Sequence, residues 1–295
     1  MTDLSAATDP LTDRTGYDPA FLGPEVPVPG LATPDATVLL HYLHYSVLFR
    51  PDRRFAAVTA LAMDGAKLVQ IDRESDRWLF DPRLPRDQQA GTTIYDDNDF
   101  DRGHLVRRTA AVWGDTLAEA QQANDDTFYW TNAAPQAGAF NKGKALWLGL
   151  EDFVQQHAAR FDRKLVVLAG PVLDPRDPPY RGIQVPLRFW KVVAFVQDGA
   201  LAATGYLLDQ TPLVGDLRAT FDQAAAAGDP PPLGAFRTFQ VPIADIAVLA
   251  GVDLDQLILV DRLNAPATGE TPPAPGRTSS TWVELSSLDD LVLAG

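Results

Sequence analysis

Apolar residues in this chain fall into short runs parted by turn-forming residues, the pattern of a sheet interrupted by a few helices. Val38 to Phe49, Phe55 to Met63 and Lys67 to Ile71 are apolar or β-branched stretches, with Pro51-Asp52 and Asp64-Gly65 as turn signals between them. Asp64-Gly65 flanked by two such runs predicts a hairpin. Tyr95 to Arg108 is charged and reads as a loop, Thr116 to Asn124 has helical composition, and Thr127 to Thr131 predicts a short strand. The clearest helix spans Ala145 to Phe161, where Leu146, Leu150, Phe153 and His157 recur at helical spacing and define one buried stripe. Strands follow at Lys164 to Leu168, Phe189 to Val196 and Leu201 to Leu208, then weaker helices at Leu217 to Ala226 and Ile243 to Ala250.

These elements predict a mixed α+β class, a mainly antiparallel sheet with packed helices. Residues 1–35 are rich in Pro, Gly, Asp and Thr and read as an irregular N-terminal arm. Residues 36–264 form the main body. Residues 265–295 are a Pro/Gly/Ser/Thr-rich linker with a short Leu-bearing tail that can dock on that body.

Composition narrows the classes. The 295 residues are 46% hydrophobic and 22% charged, ample material for a core. No apolar run reaches the roughly 20 residues that a membrane helix needs, and residues 1–15 lack the basic and apolar regions of a signal peptide. The expected location is therefore cytoplasmic, or exported by a route without a signal. With no cysteine, thiolate ligands and nucleophiles are excluded. The net charge of −14 runs against a nucleic-acid binder. Its distribution changes that picture: Asp101 to Lys191 holds 12 Lys and Arg against 10 Asp and Glu, while the rest of the chain holds 13 against 29.

That basic stretch opens with Asp101-Arg102-Gly103-His104. Histidine is the side chain best suited to take a proton from water near neutral pH. An adjacent arginine presents a permanent, forked charge that matches phosphate, and glycine permits close backbone approach. These are the parts needed to activate a nucleophile and to neutralise charge on a phosphodiester. Four letters alone are a weak signal. Downstream stand Thr131-Asn132, Pro135-Gln136, Phe140-Asn141, Trp147 and Leu150-Glu151. An amide oxygen at Asn141 and a carboxylate at Glu151, before and within one helix, can hold a hard, hydrated cation such as Mg²⁺.

Taken in order, these motifs resemble the DNA/RNA non-specific endonucleases, a branch of the His-Me-finger nucleases. Gly170-Pro171, Val185-Pro186 and Phe189-Trp190-Lys191 extend the likeness, which spans roughly Leu39 to Leu257. The resemblance implies a ββα-metal active-site motif within an endonuclease domain at 36–264, and a Mg²⁺-dependent cut of both DNA and RNA, with Mn²⁺ as a substitute. It implies His104 as the general base, Asn141 as the metal ligand and Glu151 as the carboxylate that orients water at the metal. Arg102 falls to the scissile phosphate, and Asn132 to loop positioning or a phosphate contact. Arg83, Arg86, Lys142 and Lys144 are candidate substrate contacts. Asn141 and Glu151 stand ten residues apart, wider than the family's usual spacing, which leaves the role of Glu151 open. A nuclease of this kind implies a protein inhibitor as partner, or a low-activity state.

Other readings attach to the same region. Asp96 to Asp101 is acidic enough to suggest a Ca²⁺ loop, but Gly103 falls one position late and the closing position holds Arg108 instead of glutamate. Gly138 to Ala145 nearly spells a phosphate-binding loop and ends in alanine where a hydroxyl is needed. His41, His44 and His157 read as structural. The alternative to catalysis is a nucleic-acid-binding module that keeps the fold with weak activity.

Overall fold

A computed structural model of the chain describes residues 11–33, 35–72, 77–138, 151–152, 154–156, 158–263 and 281–287. In chain order the elements are β1 (Val38–His41), β2 (Tyr45–Arg50), β3 (Phe55–Asp64), β4 (Phe100–His104), α1 (Arg108–Ala111), α2 (Leu117–Asp126) and β5 (Ala133–Ala137). The helical residues 151–152, 154–156 and 158–160 form α3. They are followed by β6 (Lys164–Pro171), β7 (Pro179–Tyr180), β8 (Ile183–Gln184), β9 (Arg188–Gln197) and β10 (Ala200–Asp209). The last elements are α4 (Leu217–Ala227), β11 (Arg237–Val241), α5 (Ile243–Ala250), α6 (Asp255–Ile258) and β12 (Val283–Leu285).

One eight-stranded sheet, ordered β1-β2-β3-β6-β9-β10-β11-β12, organises the molecule. All its pairings are antiparallel. Its central strands are apolar on both faces because both faces are covered. On β3, Leu61 and Met63 enter one core, while Val58, Ala60 and Ala62 enter the other. On β9, Phe189, Val193 and Phe195 share the first core, and Trp190, Val192 and Ala194 the second. The second face is closed by Tyr17 and Val26 of the N-terminal segment and by Ile243, Ile246 and Leu257 of α5 and α6. That segment is irregular but tied down: Leu31 bridges Val252, and the Tyr17 hydroxyl donates to Val26 O at 2.7 Å.

The first face carries the candidate site residues. Strands β3 and β6 are neighbours in the sheet, and the chain between them makes β4, α1, α2, β5 and α3. The small β4–β5 sheet and α3, taken in order, give the ββα arrangement on an antiparallel platform. α2 begins with a side-chain cap: Thr116 Oγ accepts from Glu119 N at 3.2 Å, and the Glu119 carboxylate accepts from Asp115 N, just before the cap, at 2.8 Å.

Several sequence expectations are corrected by these contacts. No hairpin forms at Asp64-Gly65, since Asp64 caps Ala66 N at 3.1 Å and the chain leaves the sheet through a short 3₁₀ turn. The run from Val38 to Phe49 is two strands, broken where His44 takes a φ of 70°. Thr127 to Thr131 is not a strand; its aromatics enter the core and Trp130–Asn132 is a 3₁₀ turn. Conversely, β4 forms within a stretch read as loop, because strand pairing with β5 compensates for its charged letters. β6, β9, β10, α4 and α5 lie where periodicity placed them. Strand β12 docks the tail segment on the sheet edge, and the Trp282 indole donates to Asp245 at 2.9 Å. The stripe residues Leu146, Leu150, Phe153 and His157 lie outside the described residues, whereas Val154 and Ala158 of α3 pack on the first core.

The turn from Val172 to Leu187 braces β4: the Tyr180 ring lies edge-on to Phe100 at 5.6 Å, and Asn98 Nδ2 donates to its hydroxyl at 3.2 Å. Within that turn burial pushes the Asp177 carboxyl up to about 7, against the pull of the Arg53 charge. A folded-state value above the unfolded one means that the folded protein binds the extra proton, so stability falls as pH rises from the ordinary carboxylate range to about 7. Asp177→Asn is expected to be more stable than wild type at pH 8 in urea denaturation, with the difference vanishing towards pH 4. A difference independent of pH contradicts this account.

Candidate active site

β4 pairs with β5 in unbroken antiparallel register, with Arg102 opposite Pro135 and His104 opposite Ala133. Strand alternation puts Arg102 and His104 on one face and Asp101 and Gly103 on the other. Gly103 has a local reason: a Cβ there would stand 2.2 Å from the side chain of Gln136. The Asp-Arg-Gly-His run is thus a strand that presents two functional groups side by side.

Beneath them lies an aromatic floor that periodicity did not reveal. The His104 ring is 4.7 Å from that of Trp78 and nearly perpendicular to Phe128 at 5.2 Å. Trp78 stacks on Trp130 at 5.1 Å, and the Arg102 guanidinium sits 5.8 Å over the same Trp130. Tyr95 stacks on Trp130 from another side at 5.4 Å; burial pushes its hydroxyl well up and keeps it neutral. Ring contacts of this kind contribute about 0.5–1.5 kcal/mol each, enough to restrict the imidazole. His104 is half-buried and Arg102 exposed.

Asn132 is fully buried, and both ends of its amide are used. Oδ1 accepts from Val106 N at 2.8 Å, and Nδ2 donates to Val106 O and Thr127 O at 3.0 Å each. Its carbonyl also accepts from Leu105 N at 2.9 Å. Asn132 therefore fastens the chain leaving His104 to the chain entering β5, and its amide does not face solvent. Thr131 is likewise internal, bonded to the Tyr42 hydroxyl at 2.5 Å.

Glu151 sits on the inner side of α3. One carboxylate oxygen receives the Lys191 ammonium of β9, and the other lies 3.9 Å from Arg107 Nε. With Leu105 and Val106, these residues line a recess of about 30 Å³, so the carboxylate stands beside the chain that follows His104. Arg107 also pairs with Asp152 at 2.5 Å. A carboxylate already flanked by two cations suits an orienting role better than direct coordination. A hard oxygen donor of this kind fits a hydrated Mg²⁺. Asn141 lies outside the described residues, as do Phe140, Lys142, Lys144 and Trp147. Among the described residues, no three His, Asp or Glu side chains converge on one cation.

The remaining candidates separate. Arg83 turns inward: it pairs with buried Asp81 at 2.6 Å, donates to His41 O at 2.8 Å and covers the Tyr42 ring. Those contacts tie its guanidinium to the fold. Arg86 is exposed and lies 5.1 Å over Phe80, which in turn contacts Trp130, so it stands at the rim of the aromatic floor. His44 stacks on Trp113 and faces Ala111 O and Glu119; burial lowers its proton affinity despite both. Asn98 folds the acidic loop on itself, donating to Ile94 O at 2.8 Å and accepting from Phe100 N at 2.9 Å.

Sequence reasoning missed three residues. Arg107 and Lys191 flank Glu151, and buried Gln210 braces β5 by accepting from Ala137 N at 2.9 Å and donating to Pro135 O at 3.2 Å. Only Lys191 carried a signal, as part of the Phe189-Trp190-Lys191 match.

A sequence model described as DNA/RNA non-specific endonuclease matches residues 23–260. Nuclease C1 of Cunninghamella echinulata var. echinulata is 31% identical over 151 residues, covering 47% of this chain and 56% of that protein. Mitochondrial endonuclease G of Caenorhabditis elegans is 30% identical over 155 residues, covering 47% of this chain and 46% of its own length. An uncharacterized protein of Sinorhizobium fredii, y4fB, is 37% identical over 278 residues, or 87% of this chain, but 41% of its own length. The chain thus spans about two-fifths to just over half of these relatives. In fold it is similar to a crystal structure of the EndoG/EndoGI complex, with a TM-score of 0.54 at 18% identity, covering 78% of this chain and 90% of that one.

Proposed function

The chain belongs to the DNA/RNA non-specific endonuclease family, and from that premise we propose that it hydrolyses phosphodiester bonds in DNA and RNA with Mg²⁺ as cofactor. The observation that carries the reading is the pairing of Arg102 and His104 on one face of β4 over the Trp78–Trp130 floor. His104 is half-buried and held in a limited range of ring orientations by Trp78 and Phe128, the restraint that a positioned general base requires. Arg102 is exposed, with its guanidinium 5.8 Å over the Trp130 ring, a fork for the phosphate on which negative charge grows. Asn132 fastens the chain that follows His104 to the start of β5, the strand paired with β4. Glu151 orients water, held from two sides by Lys191 and Arg107. Asn141 would hold the Mg²⁺, which when bound supplies Lewis-acid stabilisation of the leaving oxygen. Mn²⁺, with the same preference for oxygen donors, serves in its place.

The acidic body favours modest affinity, because repulsion from the bulk of the surface offsets attraction at the site. The expected result is fragmentation of plasmid DNA and of RNA on gels with Mg²⁺ or Mn²⁺, and intact substrate with EDTA. Binding of either nucleic acid with no cleavage in both metals sinks the nuclease reading and favours a binding module.

A further inference from the structure

Lys191 stands near the middle of β9, opposite Ala169 of β6 and Tyr206 of β10, and is 5% exposed. It faces the same side as Phe189 and Val193, and the recess around it is otherwise lined by Thr59, Leu61, Met63 and Val167. An ammonium in a recess lined largely by apolar side chains loses its hydration, and ion pairing repays that loss only with well-placed partners. A charge pair of this kind is therefore poorly explained by stability alone, since apolar residues of similar volume would serve the core as well.

Its position offers the explanation. Glu151 belongs to a helix packed over the sheet, and α3 alone leaves a glutamate side chain free to rotate. The Lys191 ammonium is anchored in a strand with hydrogen-bonded neighbours on both sides. We propose that Lys191 is a positioning residue, which fixes the Glu151 carboxylate in one orientation beside the chain that follows His104. Arg107 closes the other oxygen from the loop side, 3.9 Å away, but is itself shared with Asp152 and more exposed. The sheet thus sets the catalytic geometry directly through Lys191, besides supporting α3. This inference rests on the nuclease reading for what Glu151 does, and on the ion pair alone for how Glu151 is held.

The test compares Lys191→Met and Lys191→Arg with wild type in DNA cleavage, and in calorimetric Mg²⁺ titration of the substrate-free protein. Loss of a residue that orients a ligand costs about 10–100-fold in activity or metal affinity, so Lys191→Met should lose at least that lower bound in kcat. KM for DNA should change little, Mg²⁺ binding should weaken, and Lys191→Arg should recover part of both. In a Glu151→Gln background the same Lys191→Met change should add almost nothing. Wild-type kcat and Mg²⁺ affinity in folded Lys191→Met would overturn the proposal, as would an undiminished penalty in the Glu151→Gln background. Should the single variant not fold, Lys191→Met/Glu151→Gln, which removes both charges, is compared with Glu151→Gln alone. Failure of the wild type to cut DNA or RNA counts against the nuclease reading, whereas the Mg²⁺ titrations still test how Lys191 holds Glu151.

Discussion

Replacing His104 with alanine should slow cleavage of DNA and RNA by about 10²–10⁴-fold, the usual contribution of a positioned general base. On the proposed mechanism the loss should fall on kcat, because His104 moves the proton while Arg102 grips the phosphate. The variant should remain folded. His104 is half-buried at the end of a strand, and the Trp78–Trp130 stack beneath it is completed by Phe128 and Tyr95. Losing the ring removes two aromatic contacts of about 0.5–1.5 kcal/mol each, too little to unfold a body built on an eight-stranded sheet. Circular dichroism and the thermal midpoint check that point. Partial rescue by added imidazole would identify the missing group as the base. A folded variant within threefold of wild-type activity would remove His104 from the mechanism.

Asn132→Ala should be damaging in a different way. The substitution strands Val106 N, Val106 O and Thr127 O, which now pair with the amide in a fully buried site. Each buried polar group left without a partner costs about 1–3 kcal/mol, so the loss is expected to be about 3 kcal/mol or more. For a chain of this size that lowers the thermal midpoint by roughly 6–12 °C. Activity should fall as well, since the amide fastens the residues just after His104 to the start of β5. A phosphate contact predicts the opposite signature, a raised KM with unchanged stability. Measured together, the melting curve and the KM-against-kcat split decide between the two roles, and a stable variant with raised KM sinks the positioning account.

The two variants mark the boundary between what is legible in the letters and what is not. His104 was singled out by its neighbours in the chain, and the fold seats its ring against Trp78 and Phe128. Asn132 came from the same motif set, yet whether it touches substrate or backbone could not be read from Thr131-Asn132. That depended on residues 26 positions away. Arg83 shows the same limit. An arginine in a turn-rich segment looks like a surface charge, and only the fold reveals that Asp81, His41 and Tyr42 occupy it.

By itself the sequence determined the antiparallel α+β class, strands β6, β9 and β10, and helices α4 and α5. It also determined the motif that identifies the family. These follow from short-range periodicity and from an ordered set of side chains, which survive without knowledge of contacts. The tertiary structure alone decided that Asp101-Arg102-Gly103-His104 is a strand, because its extended form depends on pairing with β5 more than 25 residues later. It alone gathered Trp78, Tyr95, Phe128 and Trp130 into one floor, and it alone set Lys191 against Glu151 across 40 residues of chain. Strand pairing and the burial of charge are properties of surfaces brought together from distant segments, so no local pattern in the chain encodes them.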